Sequence, residues 1–164
     1  MTCPLNVLFL CTGNSARRIL AEALLNHAGG GRFRGFSAGS RPSGVVNPLV
    51  LEHLEAHGIR ADRASSKSWD AFATPDAPRM DLVITVCDQA AEEACPAWPG
   101  TPARAHWSAP DPPSWVSDPA GARRVIADVF ASMQRRIALL TTLSIEDLDA
   151  AALQAQVNAI PDRT

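Results

Sequence analysis

Near the start of the chain a cysteine and an arginine bracket five small or turn-forming residues, Cys11-Thr12-Gly13-Asn14-Ser15-Ala16-Arg17, a C-x5-R segment. Backbone amides of such a loop, together with the positive end of a following helix, converge on one point and suit a tetrahedral oxyanion. Arg17 can grip two of its oxygens in fork geometry. Gly13 and Asn14 accept the backbone turns that a tight cradle needs. The same positive field favours the ionised form of Cys11, which at neutral pH becomes a thiolate able to attack the bound anion. The spacing alone also arises by chance, in a strand that ends on a buried cysteine with a solvated arginine beyond it. The apolar run before the loop and the helical pattern after it favour the anion cradle. No Gly-Lys-Ser/Thr follows, so a Walker-type nucleotide loop is excluded.

Three further cysteines, Cys3, Cys87 and Cys95, form no C-x-x-C pair, which argues against a zinc site or a thioredoxin-like centre. In a reducing compartment, cysteines at the ends of elements serve catalysis or redox chemistry more often than bridges. Taken without Cys11, however, Cys87 and Cys95 read as small packing residues. Cys3 takes no role. His53, Glu55 and His57 follow the order H-x-E-x-H, unlike the H-E-x-x-H of zinc peptidases, and read as a solvated helix end. No metal site is expected. His27 and His106 lack a carboxylate or cysteine partner in sequence. Trp69, Trp98, Trp107 and Trp115 read as core or loop packing, and Arg123, Arg124, Arg135 and Arg136 as a solvated helix face.

The elements that must position these residues alternate between strand and helix. Residues 6–10, N-V-L-F-L, form a short continuous apolar run of the kind found in a strand buried on both faces. Residues 16–28 place Ile19, Leu20, Ala23, Leu24 and His27 at helical spacing, until Gly29-Gly30-Gly31 ends the pattern. Residues 33–38 predict a second strand. Asn47 and Pro48 predict a cap and first turn for a helix that Gly58 closes, with Leu51 and Leu54 facing inward. The β-branched run at 81–86 predicts a third strand, with Cys87 directly after it, and residues 105–107 a short fourth. Pro110 to Pro113 interrupt any ladder. From Asp118 and Pro119, a helix is marked by Ile126, Phe130, Met133, Ile137 and Leu140. Ser144 and Asp147 suggest the start of a last helix through Ala152 or beyond.

This alternation predicts an α/β fold with a parallel sheet covered on both faces, whose ligands bind beyond the carboxyl ends of the strands. Cys11 and Cys87 sit at two such ends, so two thiols can meet on one edge. The 164 residues fit a single domain, 1–164, and 46% apolar with 20% charged residues is ordinary globular composition. A formal charge of −2 with no dense Lys/Arg run speaks against nucleic acid as a partner. Apolar runs as short as the one before Cys11 are far below a membrane span or a signal core, so a cytoplasmic protein is expected.

C-T-G-N-S-A-R followed by I-L-A-E-A resembles the low-molecular-weight tyrosine phosphatase superfamily. F-S-A-G at 36–39, S-K-S-W at 66–69, V-C-D at 86–88, C-P-A-W-P-G at 95–100, A-H-W at 105–107 and P-D-P around Asp111 resemble its arsenate reductase branch. The resemblance spans residue 6 to about residue 140. It implies a four-stranded parallel sheet flanked by helices, with arsenate as substrate and phosphate or sulfate as competing anions. It further implies a relay in which Cys11 attacks arsenate and Cys87 then attacks the Cys11 sulfur, releasing arsenite and leaving a Cys11–Cys87 disulfide. Cys95 next attacks Cys87, and an external thiol reductant reduces the resulting pair. That reductant is thioredoxin, or glutaredoxin with glutathione, or mycothiol; no tightly bound cofactor is implied. Asp111 resembles the family's general acid, whereas its plain reading is a turn aspartate. Asp88 reads as a helix cap. A serine commonly follows the motif arginine and helps hold the thiolate; here that position is Arg18.

Eight residues of regular helix span about 12 Å, whereas disulfide-bridged Cα atoms lie within roughly 7 Å. Local unwinding between Cys87 and Cys95 on oxidation is therefore expected; Ala90, Ala91 and Ala94 favour a helix there that Pro96 and Pro99 cut short. Two other functions use the same loop. A tyrosine phosphatase needs Cys11, Arg17 and Asp111 but leaves Cys87 and Cys95 idle, and no tyrosine adjoins Asp111. A noncatalytic oxyanion-binding regulatory module needs less than the full set.

Overall fold

A computed structural model of the chain describes residues 4–11, 16–40, 45–61, 68–87 and 102–163. Its centre is a four-stranded sheet of β1 (Leu5–Cys11), β2 (Phe33–Gly39), β3 (Leu82–Thr85) and β4 (Ala103–His106), in the order β2-β1-β3-β4. All three pairings are parallel. The α/β fold with four parallel strands expected from the sequence is thus the one found. β1 is central and is fully buried from Val7 to Cys11, which is why its sequence reads as an unbroken apolar run.

The strand order sends the chain from β1 to one side and later back across it to β3. The crevice at the carboxyl ends of β1 and β3 is therefore a topological switch point, the place where open α/β sheets bind ligands. Cys11 ends β1 and Cys87 follows β3, so both face that crevice's rim.

Among the described residues four helices flank the sheet: α1 (Arg17–Ala28), α2 (Pro48–Ala56), α3 (Pro119–Thr141) and α4 (Ala150–Ala159). Side chains from all four join Val7, Phe9, Leu82, Ile84 and Trp107 in one large core. Leu8, Leu10, Ala38 and Val83 point the other way and pack with Met80 and with Phe72 of a 3₁₀ turn, Trp69–Phe72. Alternation along a strand divides its residues between two faces in this manner.

α1 lies between β1, β2 and α3 and is buried from Arg17 to Leu25. Gly35 permits the close approach: a Cβ there would stand 3.0 Å from the Glu22 carbonyl oxygen. The Asn26 side chain closes the contact by donating to the Gly35 carbonyl and accepting from its amide, at 3.1 and 2.8 Å. Past the helix, Gly30 at φ 58° takes the left-handed turn that most side chains resist.

Asn47 caps α2 by accepting from the Leu49 amide, with Pro48 in the first turn, and Asp118 caps α3 by accepting from the Gly121 amide. The expected stripe of α3 is buried, with Val129 added to it. Some local expectations shift. Val50 and Leu54 are the inward residues of α2, while Leu51 is 37% exposed. β4 begins at Ala103 instead of residue 105, although the Trp107 amide still donates to the Thr85 carbonyl. Ser144 leads only into a 3₁₀ turn, Ile145–Asp147, and α4 starts at Ala150 under an Asp149 cap. Trp107 fixes this last helix through its indole N–H, which donates to the Val157 carbonyl at 2.9 Å.

The helix end is solvated as expected at Glu55 and His57, both exposed, while His53 is half-buried. The two histidine rings lie 4.4 Å apart, and each contacts Phe130 of α3. Arg123 and Arg124 are exposed as expected, but Arg136 is half-buried and donates to the Ser108 carbonyl. Among the described residues no helix is long and apolar enough to cross a membrane.

Candidate active site

Cys11 is completely buried at the end of β1, and the helix that begins at Arg17 turns its first side chain back over it. Arg17 Nη2 donates to Cys11 Sγ at 3.3 Å, and Nη1 donates to the Ala109 carbonyl at 3.0 Å. The Ala109 amide in turn donates to the Val86 carbonyl at 3.2 Å. One residue of the β4–α3 connection therefore ties the guanidinium to the strand end that carries Cys87. Nη2 also lies 3.7 Å from Asp111 Oδ1, whose side chain is 59% exposed. The buried Arg17 Nε has no hydrogen-bond partner among the described residues.

The structure thus brings Cys11, Arg17 and Asp111 together, and Ala16 is buried at the start of the helix. Thr12, Gly13, Asn14, Ser15, Asp88 and Cys95 lie outside the described residues, as does the segment expected to unwind between Cys87 and Cys95.

Leu10 pairs with Thr85, and the Val86 amide donates to the Leu10 carbonyl, so Cys11 stands level with Val86. Strand spacing and one residue of rise then put the Cα atoms of Cys11 and Cys87 roughly 6 Å apart, within the span of about 4.4–6.8 Å that a disulfide bridges. In an ideal strand Val86 and Cys87 would face opposite ways. The regular strand ends at Thr85, and both residues join the same core cluster as Cys11. Cys87 is 4% exposed, so both cysteines are buried.

A second arginine enters the site's surroundings. Arg18 is fully buried, and its Nη1 donates to Ser37 Oγ at 3.3 Å. Ser37 Oγ donates to Glu22 Oε2, and both residues are buried. Burial lowers the Arg18 pKa from its ordinary value, while the charge of Cys11, and then that of Glu22, opposes the shift. Glu22 and Ser37 did not stand out as site residues in the sequence. The i to i+4 spacing of Arg18 and Glu22 is the one local signal that could have linked them.

The family model of the low molecular weight phosphotyrosine protein phosphatase matches residues 6–147. An arsenate reductase of Halalkalibacterium halodurans is 37% identical over 106 residues, which make up 65% of this chain and 73% of that protein. The crystal structure of an arsenate reductase from Archaeoglobus fulgidus superposes with a TM-score of 0.59 at 27% identity, covering 80% of this chain and 98% of that one. A thioredoxin-dependent arsenate reductase of Corynebacterium glutamicum gives 0.56 at 26%, covering 82% and 61%. A match over that span, on a chain whose central parallel strand runs into a C-x5-R segment, makes this protein a member of the low molecular weight phosphotyrosine protein phosphatase family.

Proposed function

We propose that the protein is an arsenate reductase that carries the two electrons of the reduction on its own thiols. Cys11, as thiolate, attacks arsenic(V) and displaces one oxygen, which Asp111 protonates so that it leaves as water. Arg17 holds the remaining oxygens. Its buried Nε–H is a donor that an oxyanion can take up, and its Nη2 already holds the sulfur. The thiolate of Cys87 then attacks Cys11 Sγ. The S–As bond breaks with its electron pair moving to arsenic, arsenite departs, and a Cys11–Cys87 disulfide remains. Attack by Cys95 on Cys87 frees Cys11 and moves the disulfide to Cys87–Cys95, which a dithiol donor of the thioredoxin kind reduces.

The observation that carries this reading is the second buried cysteine just past the end of the neighbouring strand, level with the nucleophile to within one residue. Phosphate ester hydrolysis has no use for it. The named relatives, one of them thioredoxin-dependent, support arsenate as the anion and a thiol donor as the electron source. The test is arsenite formation by wild type and Cys87→Ser, each supplied with thioredoxin, glutaredoxin plus glutathione, or mycothiol. The relay requires the variant to lose multiple turnover with every donor. Equal turnover in both proteins, or brisk aryl phosphate hydrolysis without arsenite, would return the phosphatase reading.

A further inference from the structure

Arg18 has no part in the steps above, and its environment is unusual for an arginine. It is fully buried, although an unpaired guanidinium away from water costs several kcal/mol. Compensation comes through a chain of buried polar groups: Arg18 Nη1 to Ser37 Oγ, then Ser37 Oγ to Glu22 Oε2, with Glu22 one helical turn beyond Arg18. Ser37 pairs with Phe9 in the ladder, and two residues on, Gly39 pairs with Cys11. Side chains two apart on a strand share a face, so Ser37 and Cys11 project toward α1 from the same side of the sheet. Arg18 stands between the helix and that face.

Among the described residues, the buried charges around the loop do not balance without the cysteine. Arg17 and Arg18 contribute two positive charges and Glu22 one negative; Asp111 is mostly in solvent. A Cys11 thiolate brings this described set to neutrality, whereas a thiol leaves it with a net charge of about +1. The opposing influence of Cys11 on Arg18, larger than that of Glu22, agrees with the two groups sharing one field.

We propose that Arg18 is a positioning residue for the nucleophile, a second buried guanidinium aimed by Ser37 and Glu22 that holds Cys11 ionised from the sheet side while Arg17 contacts its sulfur directly. Charge takes over here what a serine hydroxyl supplies where serine follows the motif arginine. The proposal rests on Cys11 being the nucleophile of the proposed reaction, yet its test needs no arsenate.

The experiment is an ultraviolet titration of the Cys11 thiolate in a chain whose other three cysteines are serine. Arg18→Met raises the midpoint by about one to two pH units, and Arg18→Lys restores most of the difference. Glu22→Gln shifts it the opposite way, downward, because a repelling charge is removed and Arg18 is freed to act on the sulfur. A purely structural role moves neither value in this signed pattern. An unchanged midpoint in a natively folded Arg18→Met overturns the proposal. If that variant does not fold, Glu22→Gln decides alone: a midpoint that stays or rises overturns it. Signed shifts, where the parent chain with all four cysteines makes no arsenite, support the Arg18 role while refuting the reductase reading; arsenite formation by that parent without the shifts does the reverse.

Discussion

Replacing Arg17 by lysine keeps the charge and removes the fork, and so separates charge from geometry. Arg17 spends Nη2 on Cys11 Sγ at 3.3 Å and Nη1 on the Ala109 carbonyl at 3.0 Å, leaving a buried Nε–H. A lysine ammonium is a single point of charge on a flexible stem and cannot meet the sulfur, the carbonyl and an oxyanion oxygen together. The variant therefore gives up one charge-assisted bond to the sulfur and one to the reacting anion. At about 1.5–3 kcal/mol each, the pair amounts to at least about 3 kcal/mol. Since 1.36 kcal/mol is a factor of ten in rate, kcat/KM for arsenite formation should fall by roughly two orders of magnitude. Initial rates with a saturating thiol donor measure it, and near-ultraviolet circular dichroism checks that the fold survives. Arg17→Lys that folds natively and keeps more than about a tenth of the parental kcat/KM would show that charge alone suffices, refuting the geometric reasoning.

Asp111→Asn should lower kcat about a hundredfold while leaving the melting temperature almost unchanged, because an exposed carboxylate 3.7 Å from Arg17 contributes under about 1 kcal/mol; a kcat within about threefold of the parent would end its assignment as the acid. In Gly121→Ala the new Cβ would stand 2.2 Å from Asp118 Oδ2 and displace the α3 cap, so the urea midpoint should fall by the equivalent of about 1 kcal/mol, and an unchanged midpoint would show that the cap contributes nothing. The third concerns acid. Burial first, and His57 second, hold the His53 pKa below its ordinary value, with Glu52, itself bridged to Arg123, opposing. Folded His53 thus stays neutral where the unfolded chain takes up a proton. Its contribution is complete above about pH 6.5 and is lost as pH falls from there toward the lower folded value. Urea midpoints at about pH 7.5 and about pH 5.5 should differ less in His53→Leu than in the parent, and an equal difference would remove His53 as the cause.

How far the sequence could be read depended on whether a residue's surroundings were local. The β1 run and the α3 stripe with its Asp118-Pro119 start announce themselves within a few positions, and both are found as expected. In α2 the adjacent Leu49, Val50 and Leu51 offer no helical phase. Packing against the core selects Val50 with Leu54 and turns Leu51 outward. α4 buries only Leu153 and Val157 and ends against Ile160, too narrow a stripe to mark its start, and the acidic cap that matters is Asp149. The meeting of Arg17 with Ala109 and Asp111 crosses more than ninety positions. Arg18 and Glu22 carry the spacing of a solvated helix pair. Only β2, with Gly35 admitting the helix and Ser37 facing it, turns that pair into a buried network.

The same charges bear on the direction of the relay. A thiol of low pKa makes the better leaving group, and exchange at a disulfide runs fastest when the sulfur expelled is the one that best carries negative charge. Cys11 has a guanidinium on its sulfur, with Arg17 Nη2 at 3.3 Å. An incoming thiol that attacks Cys87 in the proposed disulfide therefore expels Cys11 as a thiolate that the guanidinium stabilises. In the proposed relay, the cluster that prepares Cys11 for arsenate would also return it to the ionised state at the end of each turn.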